Sequence, residues 1–170
     1  TRFMPFAGNV CCDRRKFARP DEAVLMHVSN FRPTKRVPDV VEVFAKVRKE
    51  RKGKLLLIGD GPEMPRVVEK AQALGVQEDV VYLGKQDPLE NLLGIADVFL
   101  MPSETESFGL AGLEAMACGV ATVTTGIGGL ADLPAEHCSP NVASLAEIML
   151  RVYPRRAETG AQEHGAQQPR

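Results

Sequence analysis

The sequence predicts an α/β fold built on a single open parallel sheet. Five apolar runs of strand length lack the polar alternation of a sheet that is buried on one face only. Between them lie segments with apolar residues at helical spacing. Strands that are apolar on both faces need helices on both sides, and right-handed crossovers then produce a doubly wound, Rossmann-like sheet.

The elements follow one another in a regular strand–helix rhythm. The predicted strands are residues 23–28, 54–58, 80–83, 98–101 and 120–124. Helices are predicted from Pro38, from the turn 59–63 to about Leu74 with Gly75 as its cap, from Pro88 to about Ile95, over 108–118 and over 142–152.

The polar loops of this pattern all follow strands. In a doubly wound sheet ligands bind beyond the carboxyl ends of the strands, so this edge is where a site is expected. The loops concerned are residues 29–36, 59–63, 84–87, 101–109 and 124–129.

The stretch 103–119, SETESFGLAGLEAMACG, joins one such loop directly to a helix. The first amides of a helix lack intrahelical acceptors and bind anions, and Gly109 lets a ligand approach the backbone. Glu106 and Glu114 stand on either side, where carboxylates accept hydrogen bonds from sugar hydroxyls. A nucleotide sugar would satisfy both features; the alternative is that both glutamates are solvated surface residues.

Length, net charge and hydropathy argue against several classes of function. A chain of 170 residues suits one domain with a real core. Its 21 basic and 22 acidic residues leave a net charge of -1, so it lacks the general basic surface of a nucleic-acid binder. The apolar runs are too short to cross a bilayer and no signal-peptide layout is present, which predicts a cytoplasmic protein without a membrane partner.

The cysteines and histidines do not form a metal site in the sequence. Cys11 and Cys12 are adjacent, Cys118 and Cys138 are isolated, and zinc-type spacing is absent, so reduced thiols are expected, with Cys118 in the core. His27 lies in a strand and is predicted to be a core residue. His137 and His164 are predicted to lie at the surface.

A glycine motif offers a rival interpretation. Residues 126–131, GIGGLA, fit the G-x-G-x-x-A pattern of dinucleotide-binding turns. That turn belongs after the first strand with an acidic residue ending the next, whereas this one follows the fifth strand. The position disfavours a nicotinamide dinucleotide.

Taken together, the loops resemble a known family. Glu106 and Glu114, with seven residues between them in ESFGLAGLEAMACG, resemble the Glu-x(7)-Glu signature of retaining GT-B glycosyltransferases. The phrases SNFRPTKR, LLLIGDGPE, VYLGKQ and TTGIGG agree in order, over about residues 23–133. HVSNFRPTKRVPDVVEVFAKV and VYLGKQ look most like family members that move N-acetylglucosamine from UDP to L-malate in bacillithiol biosynthesis.

The resemblance implies roles for individual residues. Lys35 and Arg32 would be cations at the donor diphosphate, and Glu106 would bind the hydroxyls of the donor sugar. Glu114 would hold the ribose. The remaining implied donor contacts are the backbone amides of Phe108, Gly109 and Leu110, the loop Gly84, Lys85 and Gln86 against the uracil, and the loop residues Asn30 and Gly61.

The chemistry implied by this resemblance needs no cofactor. Cleavage of a glycosyl phosphate places negative charge on the departing UDP, which fixed cations and a helix N-terminus stabilise most in the transition state. The sequence contains no Asp-x-Asp motif, in agreement with an expected metal-independent reaction. We assign no protein nucleophile.

The sequence also departs from the family. GT-B enzymes have two Rossmann-like domains, and this chain matches only the second, with residues 1–22 expected to be an inter-domain linker. The sheet is expected to end in an exposed edge after its fifth strand, and residues 134–170 to form a degenerate helix and a disordered tail. Either the chain is a donor domain that needs an acceptor domain for activity, or it is a non-catalytic nucleotide-sugar-binding fragment; a homo-oligomer is a further expectation.

Overall fold

A sheet of six parallel strands forms the centre of the computed structural model, which describes residues 14–163. The strand order is β3-β2-β1-β4-β5-β6. The strands are β1 Ala23–Ser29, β2 Gly53–Gly59, β3 Val80–Gly84, β4 Val98–Met101, β5 Ala121–Thr124 and β6 Glu136–His137.

This strand order determines where loops meet. After β1 the chain adds β2 and β3 on one side, and then crosses back to place β4 on the other side of β1. The loops that leave β1 and β4 therefore diverge to opposite faces and open a crevice at the carboxyl edge, the usual ligand position in such sheets.

Helices cover both faces of the sheet, which confirms the doubly wound prediction. Side chains of α1, α2 and α5 pack with Leu25 of β1 on one face, and those of α3 and α4 pack with Met26 on the other. No helix within residues 14–163 is long and apolar enough to span a bilayer. The helices are α1 Val37–Glu50, α2 Met64–Ala73, α3 Glu90–Leu93, α4 Leu110–Ala117 and α5 Val142–Glu163.

Gly75 ends α2 as predicted. Its backbone is left-handed, with φ of 67°. The Gly75 N–H donates to Gln72 O and the Val76 N–H to Ala71 O, both at 3.0 Å. These two bonds form a Schellman motif, which satisfies the last carbonyls of the helix.

The expected exposed edge after the fifth strand is wrong, because β6 continues the sheet beyond it. Glu136 and His137 pair in parallel with Val123 and Thr124 of β5. The His137 imidazole also contacts the Thr124 hydroxyl at 2.9 Å, although the side chain is largely exposed, as predicted. A strand of two residues has no apolar run, so hydropathy could not reveal it.

The helix predicted over residues 142–152 is confirmed, but it forms the regular helix α5 and continues to Glu163, into the expected tail. Asn141 caps it, because its Oδ1 accepts the Ser144 N–H at 2.8 Å. Leu145, Met149 and Val152 are buried with the side chains of α1. The core therefore extends past residue 133, while residues 164–170, including His164, lie outside the described residues.

The segment before β1 is fastened to the amino edge of the sheet by Arg14. Its guanidinium donates to Ile95 O, Glu22 O and the Asp97 carboxylate, each at 2.7 Å. Asp97 Oδ2 also accepts the Val24 N–H at 2.7 Å. Residues 1–13 lie outside the described residues, so the inter-domain linker stays a prediction.

A second charged cluster at the amino edge centres on Asp79. Its two carboxylate oxygens accept hydrogen bonds from Lys54 at 2.7 Å and from Arg48 at 2.8 Å. Burial raises the pKa of the Asp79 carboxyl, but these bonds outweigh burial and hold the pKa below its ordinary value.

Two free cysteines lie within the described residues. Cys118 is buried in the core, as predicted, and Cys138 is half-buried. Burial raises the pKa of both thiols, which keeps them protonated and unreactive at neutral pH. Cys11 and Cys12 lie outside the described residues.

Candidate active site

Lys35 and Glu106 meet at the crevice between β1 and β4. The Lys35 Nζ donates to Glu106 Oε2 although the two residues are 71 positions apart in the chain. Their side chains are only 18% and 16% exposed. The structure therefore brings together two of the predicted catalytic residues as a half-buried ion pair at the ligand edge of the sheet.

The loop after β1, residues 30–36, is held in a defined shape. Phe31 is buried and Arg36 has left-handed backbone, with φ of 53°. The Arg36 guanidinium donates to the Asp39 carboxylate at 2.8 Å, and Thr34 O accepts the Glu104 N–H at 2.9 Å. Lys35 thus stands on a 3-10 turn that is tied to its own helix and to the loop after β4.

The loop after β4, residues 102–109, is held from its other side by the loop after β5. The Thr125 hydroxyl donates to Ser103 O at 2.8 Å, and both residues are buried. The Gly129 N–H donates to Glu106 O at 2.8 Å. Glu106 is therefore fixed through its backbone between two neighbouring loops.

Helix α4 begins beside this ion pair. Gly109 has φ of 61°, so the helix starts at Leu110 rather than at the predicted Phe108. The Leu113 N–H donates to Gly109 O at 3.0 Å, and the amides before it are those for which a helix provides no acceptor. The side chains of Phe108 and Leu110 are 72% and 65% exposed, so any role in anion binding falls to their backbone.

Glu114 lies in the second turn of α4 and is half-buried. It stands four residues after Leu110, so the two side chains lie on the same side of the helix. The predicted ribose carboxylate thus lies about one helical turn from the last of the predicted phosphate amides.

The loops after β2 and β3 lie further out along the same edge. Gly61 packs under the first loop, since a Cβ there would lie 2.2 Å from Asn30 O, and the Glu63 N–H donates to Phe31 O at 3.0 Å. The exposed loop Gly84–Gln86 follows β3, two strands from β1. Two strand spacings, about 10 Å, separate the carboxyl end of β3 from that of β1. Elongated ligands could reach both loops.

His27 supports the crevice from inside the core and has no role as a base. It is fully buried, its Nδ1 donates to Leu100 O, and its Nε2 accepts from the Ser29 hydroxyl, both at 2.8 Å. Burial lowers the pKa of His27 to about 4; the hydrogen bond to Leu100 opposes this fall, and the charge of Lys35 adds to it. A neutral imidazole therefore links the end of β1 to β4.

Sequence reasoning missed several residues that shape the site. Arg36 and Thr125 lie in the phrases SNFRPTKR and TTGIGG, but no role was predicted for either, and the Thr125 contact with Ser103 spans 22 residues. The glycine pair Gly128–Gly129 was noted in TTGIGG and in a disfavoured dinucleotide pattern, but neither predicted its contact with the loop after β4. Arg32 is exposed at the start of the 3-10 turn. Among the described residues, no group of three His, Cys, Asp or Glu side chains could hold a metal ion.

A sequence-family match covers the whole of this arrangement. Residues 13–149 match the family described as "Glycosyl transferases group 1". The chain belongs to this family. The ion pair, the start of α4 and the loop after β5 all lie inside the matched region of this glycosyltransferase chain.

Curated relatives of the glycosyltransferase chain carry several activities. It is 49% identical over 112 residues to the N-acetyl-alpha-D-glucosaminyl L-malate synthase of Bacillus anthracis, covering 66% of this chain and 29% of that protein. It is 35% identical over 147 residues to the D-inositol 3-phosphate glycosyltransferase of Salinispora arenicola, covering 76% of this chain and 33% of that protein. The chain thus spans about a third of these relatives.

Solved structures show the same fold. The sucrose-phosphate synthase of Thermosynechococcus elongatus matches with a TM-score of 0.79 and 28% identity over 92% of this chain and 41% of that one. The Anabaena protein HepE, in complex with UDP and glucose, matches with a TM-score of 0.72 and 21% identity over 84% and 44%. The likeness to these structures confirms the predicted Rossmann-like fold.

Proposed function

We propose that this chain is the donor-binding half of a retaining hexosyltransferase that takes UDP-N-acetylglucosamine or a related UDP-sugar. The Lys35–Glu106 contact carries the proposal. A glycosyl phosphate has its phosphate and its ring hydroxyls within a few bonds of each other. An ammonium and a carboxylate in contact at one point match that pair of groups.

The surrounding geometry supports one orientation of the donor. The distal phosphate would lie between Lys35 and the first amides of α4, with the sugar hydroxyls on Glu106. The ribose would then lie along α4 at Glu114, and the base towards the loop Gly84–Gln86. This arrangement uses the carboxyl edge of the sheet from β4 to β3.

The same groups can assist departure of the nucleotide. When the glycosyl–oxygen bond breaks, negative charge grows on the phosphate oxygen. Lys35 and the N-terminus of α4 are fixed before the reaction, so they stabilise this charge without reorganising. Arg32, exposed at the edge of the same loop, would add a second cation. We propose that the reaction needs no metal and no other cofactor.

L-Malate is the acceptor that we propose. A relative 49% identical to this chain is named N-acetyl-alpha-D-glucosaminyl L-malate synthase. The acceptor would bind to a second domain, since the chain spans 29% of that relative. Phe108 and Leu110 expose apolar side chains at the edge that such a domain would face.

A second candidate is a nucleotide-sugar-binding fragment with no catalysis of its own. The site residues bind the donor in the first proposal, and none of them is assigned to an acceptor. Catalysis of transfer depends on holding the acceptor close to the donor. Both candidates share the same donor site.

Donor binding is tested by calorimetric titration with UDP and UDP-N-acetylglucosamine. Lys35→Ala and Glu114→Ala should each weaken UDP binding by at least about tenfold, the usual loss for a charge-assisted hydrogen bond. Lys52→Ala is the matched control, because Lys52 lies at the amino edge and is 66% exposed. Unchanged binding in both site variants would show that the site is wrongly placed.

Transfer is tested separately with UDP-N-acetylglucosamine and L-malate. Product formation by this chain supports the enzyme, whereas binding without transfer favours the non-catalytic fragment. No UDP binding by the unsubstituted chain would reject both. Cytoplasmic location and homo-oligomer formation stay predictions.

A further inference from the structure

The loop after β5 packs directly against the backbone of Glu106 and Ser107. A Cβ on Gly129 would lie 2.1 Å from Ser107 O and 2.5 Å from Ser107 C. A Cβ on Gly128 would lie 2.7 Å from Glu106 O. Real Cβ atoms essentially never approach backbone this closely, so glycine is needed at both positions if the loop after β4 is to keep its place.

Backbone conformation explains one of these glycines but not the other. Gly128 has φ of 61°, which favours glycine whatever surrounds it. Gly129 is not among the glycines with positive φ, so its own backbone conformation tolerates other residues. What requires glycine at position 129 is the space taken by the Ser107 backbone.

Two hydrogen bonds accompany this close packing. The Gly129 N–H donates to Glu106 O, and the Thr125 hydroxyl donates to Ser103 O, each at 2.8 Å. On the opposite side Thr34 O accepts the Glu104 N–H at 2.9 Å. The loop that carries Glu106 is thus clamped between the loop of Lys35 and the loop of Gly129.

We propose that Gly129, assisted by Thr125, is a positioning residue that sets the place of the Glu106 carboxylate beside Lys35. The inference rests on the proposed donor-binding function and deepens it. Gly129 touches no ligand itself; it acts through the backbone of residues 106–107. The position of the GIGG motif after β5 disfavours a dinucleotide role. On this proposal the motif instead holds the Glu106 carboxylate in position to bind the sugar.

The expected effect of Gly129→Ala follows from the distances. The Ser107 carbonyl must retreat by about 1 Å for the new methyl group to fit, and Glu106 must move with it. A displacement of this size breaks a charge-assisted hydrogen bond from Glu106 to a sugar hydroxyl, which costs about tenfold in affinity. We expect UDP-N-acetylglucosamine to bind at least about tenfold more weakly to the Gly129→Ala chain, measured by calorimetric titration.

A double-mutant cycle separates positioning from general disruption. In a Glu106→Gln background the carboxylate is already lost, so adding Gly129→Ala should change affinity by less than about twofold. Thr125→Val, which removes one hydrogen bond and keeps the shape, should weaken binding about threefold and provides a milder variant if Gly129→Ala unfolds. Gly75→Ala is the control for general destabilisation. Its φ of 67° strains an alanine, but no atom of the described residues lies within 4 Å of the new Cβ, so the loops of the site are not displaced.

The outcomes distinguish this inference from the proposed function. The inference is supported if Gly129→Ala weakens donor binding in the unsubstituted chain but not in the Glu106→Gln chain. Gly75→Ala should then bind the donor as tightly as the unsubstituted chain does. If the unsubstituted chain binds the donor but Gly129→Ala and Thr125→Val bind equally well, positioning is refuted and the donor site stands. Additive losses in the cycle also refute it. No donor binding by the unsubstituted chain overturns the proposed function and this inference together.

Discussion

Acid is predicted to destabilise the domain through one buried side chain, His27. Its two ring nitrogens are hydrogen-bonded to Leu100 O and to the Ser29 hydroxyl. Protonation of Nε2 would therefore require the Ser29 hydroxyl to rotate, so that it accepts a hydrogen bond instead of donating one. Burial also opposes the charge and lowers the pKa to about 4. Unfolding releases the imidazole into water, where its pKa returns to about 6.5.

The magnitude follows from this difference. Below pH 6.5 the unfolded chain binds a proton at His27 that the folded chain does not, so stability falls as the pH falls towards 4. The complete interval corresponds to about 3 kcal/mol, at about 1.4 kcal/mol per pH unit. Between pH 7.5 and pH 5, the loss of unfolding free energy is about 2 kcal/mol.

Urea unfolding at these two pH values, followed by circular dichroism, measures the effect. His27→Gln keeps an amide donor and an acceptor but cannot titrate, and it shares every carboxylate with the unsubstituted chain. The difference in unfolding free energy between the two chains should change by about 2 kcal/mol from pH 7.5 to pH 5. Parallel pH profiles for the two chains would refute the argument.

Three further predictions concern stability and use urea unfolding as the measurement. Met149→Ala should cost about 2–5 kcal/mol because the side chain of Met149 on α5 is buried in the core shared with α1, whereas Glu147→Ala on the exposed face of α5 should change stability by less than about 0.5 kcal/mol; equal effects would contradict the packing of α5. Asp79→Asn should lower stability at pH 7 and flatten its loss at acid pH, since the lowered pKa stabilises the fold above the ordinary value of 3.8 and this contribution disappears as the pH falls through the folded pKa. Identical acid limbs would contradict this. Arg14→Met should cost about 1–3 kcal/mol through lost hydrogen bonds, and an unchanged midpoint would show that the clamp contributes nothing.

Hydropathy predicted the central part of the fold well. The strands at 98–101 and 23–28 agree with the observed β4 and β1 to within one residue, because strands covered on both faces are apolar throughout. Gly75 ended α2 as expected, since a left-handed cap favours glycine. Local sequence is informative where local physics decides the structure.

The peripheral elements could not be predicted in the same way. Strand β6 consists of Glu136 and His137 and exists only because β5 offers an unpaired edge. Helix α3 covers only Glu90–Leu93, shorter than the predicted helix from Pro88 to about Ile95. Helix α4 starts late because Gly109 adopts left-handed backbone against Leu130, a contact that is distant in sequence.

For the site, the sequence supplied the residues but not their contacts. Order along the chain predicted that the Lys35 and Glu106 loops share one edge, and the structure places the two side chains in contact. Gly129 lies in TTGIGG, a phrase of the family resemblance, but no role was predicted for it, because only the backbone of Ser107, distant in sequence, reveals why glycine is required. The individual donor contacts stay predictions.

Lys35 and Glu106 are 71 residues apart in the chain, so their contact depends on the folding of the sheet that brings them together. The pair forms only when β1, β4 and β5 are aligned, so a ligand that bridges the two charges selects fully folded chains. A donor at a hundred times its dissociation constant would stabilise that state by about 2.7 kcal/mol. This gain is slightly larger than the loss of about 2 kcal/mol that His27 imposes at pH 5. A saturating ligand would therefore offset the acid sensitivity of the fold.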